Sequence, residues 1–172
     1  LFLVVGGLAE RLEAAWDATL AGFPGRFSLA LRPASGASAL RDADAPHYAA
    51  STVKLAAFAA FFRDRAAGRA EASGTLGVHD RFIGVTGAEF TLRRVDEQDE
   101  DTWARLGGTA GVAWLAERMV VASGNLAADL VVERLGFDSV RRCLDVAGLA
   151  DAIRFTRLIG DAAAEAAGLT NT

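Results

Sequence analysis

Ser51 and Lys54 stand three positions apart at the head of the apolar run "STVKLAAFAAFF", and Lys54 is the one lysine in a chain whose other 17 basic residues are arginine. If a helix opens at Ser51, residues i and i+3 share a face, which brings hydroxyl and amine within hydrogen-bond reach. That pairing has a chemical use arginine cannot serve. An amine set among apolar side chains loses hydration, its pKa falls, and it can take the proton of a serine hydroxyl; a guanidinium stays protonated. The N–H groups of a helix start also favour the oxyanion formed when that serine attacks a carbonyl. The plain structural alternative is an N-cap at Ser51 or Thr52 with Lys54 turned to water. Against it, a cation in the first turn opposes the helix dipole.

A second polar group lies at "ASGN", residues 122–125, in a break between two apolar-periodic stretches. Ser123 and Asn125 can point from that break into a cleft, or either can cap the helix that begins at Leu126. Cys143 is alone, which excludes an internal disulfide and a multi-cysteine metal site; it falls on an apolar stripe and reads as a core residue rather than a nucleophile. His47 and His79 lack a carboxylate or histidine at helical spacing and read as structural or exposed. Tyr48 either leans on the cleft or packs ahead of the helix, the commoner outcome for such an aromatic. The acidic run "DEQDED", residues 96–101, lacks the glycine and the closing glutamate of a calcium loop and reads as a solvated loop.

The elements that must position these residues follow from periodicity. Leu8, Leu12, Ala15, Trp16 and Leu20 line one helical face, ended by Gly22 and Pro24. Phe27, Leu29 and Leu31 alternate, which predicts a strand, a turn at 33–36 and a second short strand near 37–41. Residues 51–69 are apolar on nearly every side and predict a central helix enclosed by other elements. Residues 71–101 read mostly as loop, with a short strand about 81–85. Three helices follow. The first carries Val112, Leu115, Ala116, Met119 and Val120, with Thr109 as N-cap. The second runs from Asn125 to a stop at Gly136, and the third starts at Asp138 with the stripe Val140, Cys143, Leu144 and Ala147.

With 172 residues, 52% hydrophobic and 23% charged, the chain has material for one packed domain. A net charge of -4 with scattered arginines argues against nucleic acid or an anionic membrane as partner. No apolar run approaches the length of a membrane span. The opening "LFLVVGG" fits the tail of a leader as well as a short strand, and the close in "GLTNT" predicts that the chain is a fragment.

Ser51-Thr52-Val53-Lys54 matches S-x-x-K, and Ser123-Gly124-Asn125 matches the S-x-N form of S-D-N. In that order, with these helices around them, the chain resembles the penicillin-recognising serine hydrolases of the class A β-lactamase type over nearly its whole length from Leu8. The resemblance implies an α+β, β-lactamase/transpeptidase-like fold: a helical subdomain plus an antiparallel sheet, truncated before the later strands. It implies a single incomplete catalytic domain over 1–172, with the N-terminal helix and first two strands in 8–50 and the helical subdomain in 51–172. In that reading Ser51 is acylated by a β-lactam or a peptidoglycan-like acyl donor, with Lys54 as base or proton relay. Ser123 passes a proton to the leaving nitrogen, and Asn125 binds the substrate's amide side chain. No metal or organic cofactor is implied; a monomer, secreted or periplasmic, is. Three departures stand out. No K-T-G follows, so it is expected beyond Thr172, and residues 1–172 alone are expected to be inactive. Gly124 replaces the motif's Asp. Neither Asp161 nor Glu165 has the Glu-x-x-x-Asn spacing of the deacylating glutamate, which opens the alternatives of a D-alanyl peptidase, a slow penicillin-binding protein or a non-catalytic binding module.

Overall fold

A computed structural model describes residues 7–172; the leader-or-strand reading of residues 1–6 lies outside them. The chain divides into two compact units, Leu1–His47 and Tyr48–Thr172. In the first, α1 spans Leu8–Leu20, and the Glu10 carboxylate reaches back to the Gly7 N–H at 3.0 Å, satisfying one of the orphan donors of a helix start. β1 (Leu29–Leu31) and β2 (Ala39–Arg41) pair antiparallel with Leu29 opposite Arg41, as the alternation predicts. α1 is tied to β2 by side chains: Glu13 accepts from the Leu40 N–H at 2.8 Å and Asp17 from Arg41 at 2.6 Å. His47 lies 2.7 Å from the Ser28 hydroxyl.

The second unit begins with a 3-10 turn, Ala50–Val53, which runs into α2, Lys54–Ala66. The stretch that reads as loop holds more order than its composition suggests. β3 (Thr75–Gly77) pairs with β6 (Thr109–Gly111), β4 (Arg81–Ile83) with β5 (Glu89–Thr91), and a single turn of helix, α3, covers Glu100–Trp103. Three-residue strands are too short to carry a readable alternation. Among the described residues the antiparallel pairs form three separate two-stranded ladders rather than one sheet. Thr109 opens β6 and is not an N-cap; α4 (Val112–Val121) starts three residues later.

The core lies among α2, α4, α5 (Asn125–Leu135) and α6 (Phe137–Ala147), with Phe82, Leu115, Met119, Leu126, Leu130 and Val140 fully enclosed. The central helix is α5, not α2. Every residue from Leu126 to Val132 is buried, whereas α2 leaves Leu55 and Phe62 exposed at 57% and 52%. Alanine suits either environment, so an alanine-rich helix looks enclosed in sequence on faces that are open. Cys143 is half-buried against the core, beside buried Val140 and Leu144.

Asp64 fastens α2 to α6. It is 2% exposed and accepts from Ser139 as well as from Arg63 and Arg69, each at 3.2 Å. Burial alone would raise its pKa, but the Ser139 bond and the two guanidinium groups bring it below the ordinary value. Among the described residues no helix is long and apolar enough to cross a membrane, and no group of three metal-ligating side chains converges.

Candidate active site

The 3-10 turn ahead of α2 sets the first half of the site. Ala50 takes a left-handed conformation at φ 46°, an arrangement of order 1 kcal/mol above the usual wells for a residue with a Cβ. Ser51 follows it, exposed. One turn on, Lys54 points inward and is 1% exposed. Its amine donates to the Ser123 carbonyl at 2.5 Å and to Asn125 Oδ1 at 2.7 Å, and lies 3.3 Å from Ser123 Oγ and 3.4 Å from Ser51 Oγ. The two serine hydroxyls are 3.0 Å apart. All four residues singled out in the sequence thus meet at one point, with the amine at its centre.

Ser123 reaches this point because it, too, is left-handed, at φ 55°, in the break between α4 and α5. Its backbone turn aims carbonyl and hydroxyl together at Lys54, so neither of the capping roles open to Ser123 in sequence is taken. Helix α5 is capped from elsewhere. Glu97 accepts from the N–H groups of Asn125 at 3.2 Å and Leu126 at 2.6 Å, and from those of Gln98 at 2.9 Å and Asp99 at 2.7 Å. The Asn125 amide in turn donates to the Asp96 carbonyl at 2.5 Å. The acidic run is therefore not a solvated loop: Glu97 is 6% and Asp99 1% exposed. Their period-two spacing, Glu97 and Asp99 inward with Gln98 and Glu100 outward, was the available sequence signal.

Asp99 also accounts for Gly124. A Cβ on Gly124 would lie 3.0 Å from Asp99 Cβ and 3.3 Å from its Oδ2. Asp99 cannot yield, since Arg118 clasps its carboxylate and Thr102 donates to it at 2.5 Å. Burial pushes its pKa up, and these two partners overcome that and hold it below the ordinary value. The space beside Gly124 is thus taken by the Asp99 side chain. Gly124→Ala is expected to cost about 1–3 kcal/mol in urea denaturation, as overpacking against a fixed neighbour does; an unchanged midpoint would refute the close fit.

The facing wall is the segment 155–171, pinned at its neck. Asn171 accepts from the N–H groups of Thr156 at 2.8 Å and Arg157 at 3.2 Å and donates to the Arg157 carbonyl at 3.1 Å. Its own carbonyl takes the Ala49 N–H at 3.0 Å, which ties this neck to the turn carrying Ser51. Arg157, 3% exposed, spends its guanidinium on the carbonyls of Leu158, Ile159 and Leu169 and on Glu165. Asp129, fully buried in α5, accepts from the N–H of Ile159 at 2.6 Å and Gly160 at 3.3 Å. None of Asn171, Arg157 and Asp129 stood out in the sequence; an acid inside the apolar run from Leu126 to Val132 was the one hint.

Between the walls is a cleft of about 190 Å3 lined by Ser51, Ser123, Asn125, Tyr48, Gln98, Ile159 and neighbours. Tyr48 is 61% exposed on its rim rather than packed ahead of the helix. No carboxylate lines it. Asp161 caps α7 (Ala162–Ala166) at 2.9 Å and accepts from the Val85 N–H at 3.1 Å, and it sits so close over Gly84 that a Cβ there would fall 2.3 Å from its Oδ2. Glu165 pairs with Arg157 at 3.2 Å. His79 stands apart, bridging the Arg81 carbonyl and Glu133. A larger cavity, about 640 Å3 beside α6, is lined by Phe137, Leu144 and Phe155 together with Asp138, Asp145, Asp151 and Thr156.

Besides Asp64 and Asp99, two more buried charges are displaced from their ordinary behaviour. Burial lowers the Lys54 pKa, an effect partly offset by the negative charges of Glu97 and Asp129. Burial raises Asp129 to about 7, against the pull of its two backbone donors and of Lys54. A buried amine of reduced basicity, within reach of two hydroxyls, can accept a proton from one and return it through the other.

No curated protein and no solved structure matches the chain. A family model, described as the beta-lactamase enzyme family, matches residues 9–172. That span is nearly the whole chain, both units included, and it places this protein in the beta-lactamase enzyme family, among serine hydrolases of the β-lactamase/transpeptidase fold.

Proposed function

We propose that the protein forms an acyl-enzyme on Ser51 with β-lactams or peptidoglycan-like acyl donors, and that it releases the acyl group slowly. The observation that carries this reading is the amine of Lys54, 1% exposed, between the hydroxyls of Ser51 and Ser123 at 3.4 and 3.3 Å. In the acylation step Lys54 accepts the Ser51 proton as Oγ bonds to the lactam carbonyl carbon. The Ser51 N–H at the head of the 3-10 turn supplies one donor to the oxyanion. As the C–N bond breaks, Ser123 delivers a proton to the leaving nitrogen and recovers one from Lys54, so the ring opens without net proton loss. Asn125 holds the amide side chain of the substrate. No step calls on a metal or organic cofactor.

Slow release rests on what faces the cleft. Hydrolysis of the ester needs a base to take a proton from water, and what the facing wall contributes to the cleft is Arg157, Ile159 and Asn171, none of them a carboxylate. The nearby carboxylates, Glu97, Asp129, Asp161 and Glu165, are each engaged with backbone N–H groups or an arginine. The class A lactamase reading, with fast turnover and antibiotic resistance, is the less favoured form on this ground, and a penicillin-binding or D-alanyl peptidase-like role the more favoured. Intact-mass spectrometry of the full-length protein with benzylpenicillin is expected to find a Ser51 adduct that persists for hours. Release within seconds would sink the slow-release reading, and no adduct at all would sink the acylation reading too.

A further inference from the structure

Glu97 is the one buried carboxylate that touches both the cleft loop and the helix start behind the reacting groups, and the acylation chemistry above makes no use of it. Its two oxygens collect four backbone N–H groups, two from its own segment and two from Asn125 and Leu126. Those bonds hold the turn whose Ser123 carbonyl and Asn125 amide oxygen are the nearest acceptors of the Lys54 amine. A neutral amide could match the shape of this cap but neither its charge nor its acceptance through both oxygens, since an NH2 group cannot take the N–H of Leu126.

We propose that Glu97 is a positioning residue for Lys54: it fixes the Ser123–Asn125 turn that cradles the amine and sets a negative charge behind that turn. The proposal rests on the reading of Lys54 as the proton acceptor of Ser51. Two charged groups bear on the amine, Glu97 from the segment ahead of α3 and Asp129 from within α5, and Glu97 has the stronger effect. The other groups packed on it, Ser51, Ser123 and Asn125, are uncharged. A lysine this enclosed, with burial alone acting, would drift far toward neutrality. The Glu97 charge acts against that loss, and proton exchange through Ser51 and Ser123 needs an amine able both to take and to give a proton.

Lys54 is the only lysine of residues 1–172, so in 13C-lysine-labelled protein its side-chain Cε signal is assigned as the one that Lys54→Arg removes, and its titration reads the amine directly. Glu97→Gln is expected to lower the midpoint of that titration by about one pH unit, and to move the acid limb of Ser51 labelling by a fluorescent penicillin the same way. Asp129→Asn is expected to lower it less. An unchanged midpoint in Glu97→Gln overturns the proposal and leaves Glu97 a helix cap alone. If Glu97→Gln does not fold, Glu97→Asp decides: charge kept and reach shortened, the midpoint stays within about half a unit of the wild type. A larger fall would place the effect in the cap alone and overturn the part assigned to the charge. The titration also separates this proposal from the functional reading, for a wild type that titrates as expected yet never reacts with penicillin contradicts the acylation chemistry and not the role of Glu97.

Discussion

Lys54→Arg is expected to slow acylation of Ser51 by about 10³-fold, the scale on which a positioned general base contributes. The substitution keeps a positive charge and five donors, so hydrogen bonds to the Ser123 carbonyl and Asn125 Oδ1 can be rebuilt in part. What it removes is the ability to accept a proton, since a guanidinium does not deprotonate at any working pH. Lys54→Met tests the complementary loss, keeping length and apolar packing while deleting the nitrogen. Both variants are expected to fail alike, with melting temperatures that differ, because the arginine must find room where the lysine is 1% exposed. Stopped-flow labelling with a fluorescent penicillin gives the rate. A Lys54→Arg protein that acylates within tenfold of the wild type would show that the amine serves as a charge and not as a base.

The second large effect is on stability and comes from Asp129. Its pKa in the folded protein is about 7, against 3.8 for the ordinary side chain. Between those two values the folded state holds a proton that the unfolded chain has released, so stability falls as pH rises through that window and levels off above it. The interval corresponds to about 4 kcal/mol. Asp129→Asn cannot titrate, and its amide oxygen can still accept from the Ile159 N–H. Urea denaturation from pH 4 to pH 8 is expected to find the two proteins similar at the acid end and the variant the more stable by a few kcal/mol at the alkaline end. Asp64 and Asp99 act in the opposite sense: their lowered pKa values stabilise the fold above 3.8, an effect lost as pH falls below it, but equally in both proteins. Parallel pH profiles for wild type and Asp129→Asn would refute the account. The carboxylate also holds Ile159 on the cleft wall, so the same experiment repeated with acylated protein tests whether that wall loosens when Asp129 is neutral.

How much of this was legible beforehand differs by residue, and the difference has a physical cause. Ser51 and Lys54 sit one helical turn apart, so their meeting follows from local geometry and was readable from four letters. Helices α1, α4, α5 and α6 were readable because an apolar stripe repeats over three turns or more. Ladders of three residues gave no such repeat. The acidic run misled because charge at a glance implies solvent, whereas Glu97 and Asp99 are buried where backbone N–H groups and Arg118 satisfy them.

The sequence alone determined which side chains can do chemistry: one lysine that differs from every other cation in being able to lose its proton, a serine at its i-3 position, and a second serine and an asparagine in a helix break. The tertiary structure decided what those groups face. Lys54 and Ser123 are 69 positions apart, and only the packing of α2 against α4 and α5 closes that distance to hydrogen-bond range. The same packing strips water from the amine, encloses Asp129, sets Glu97 under the turn and lays Ile159 against the cleft. Burial and long-range contact are properties of the assembled core, and no local pattern of residues encodes them.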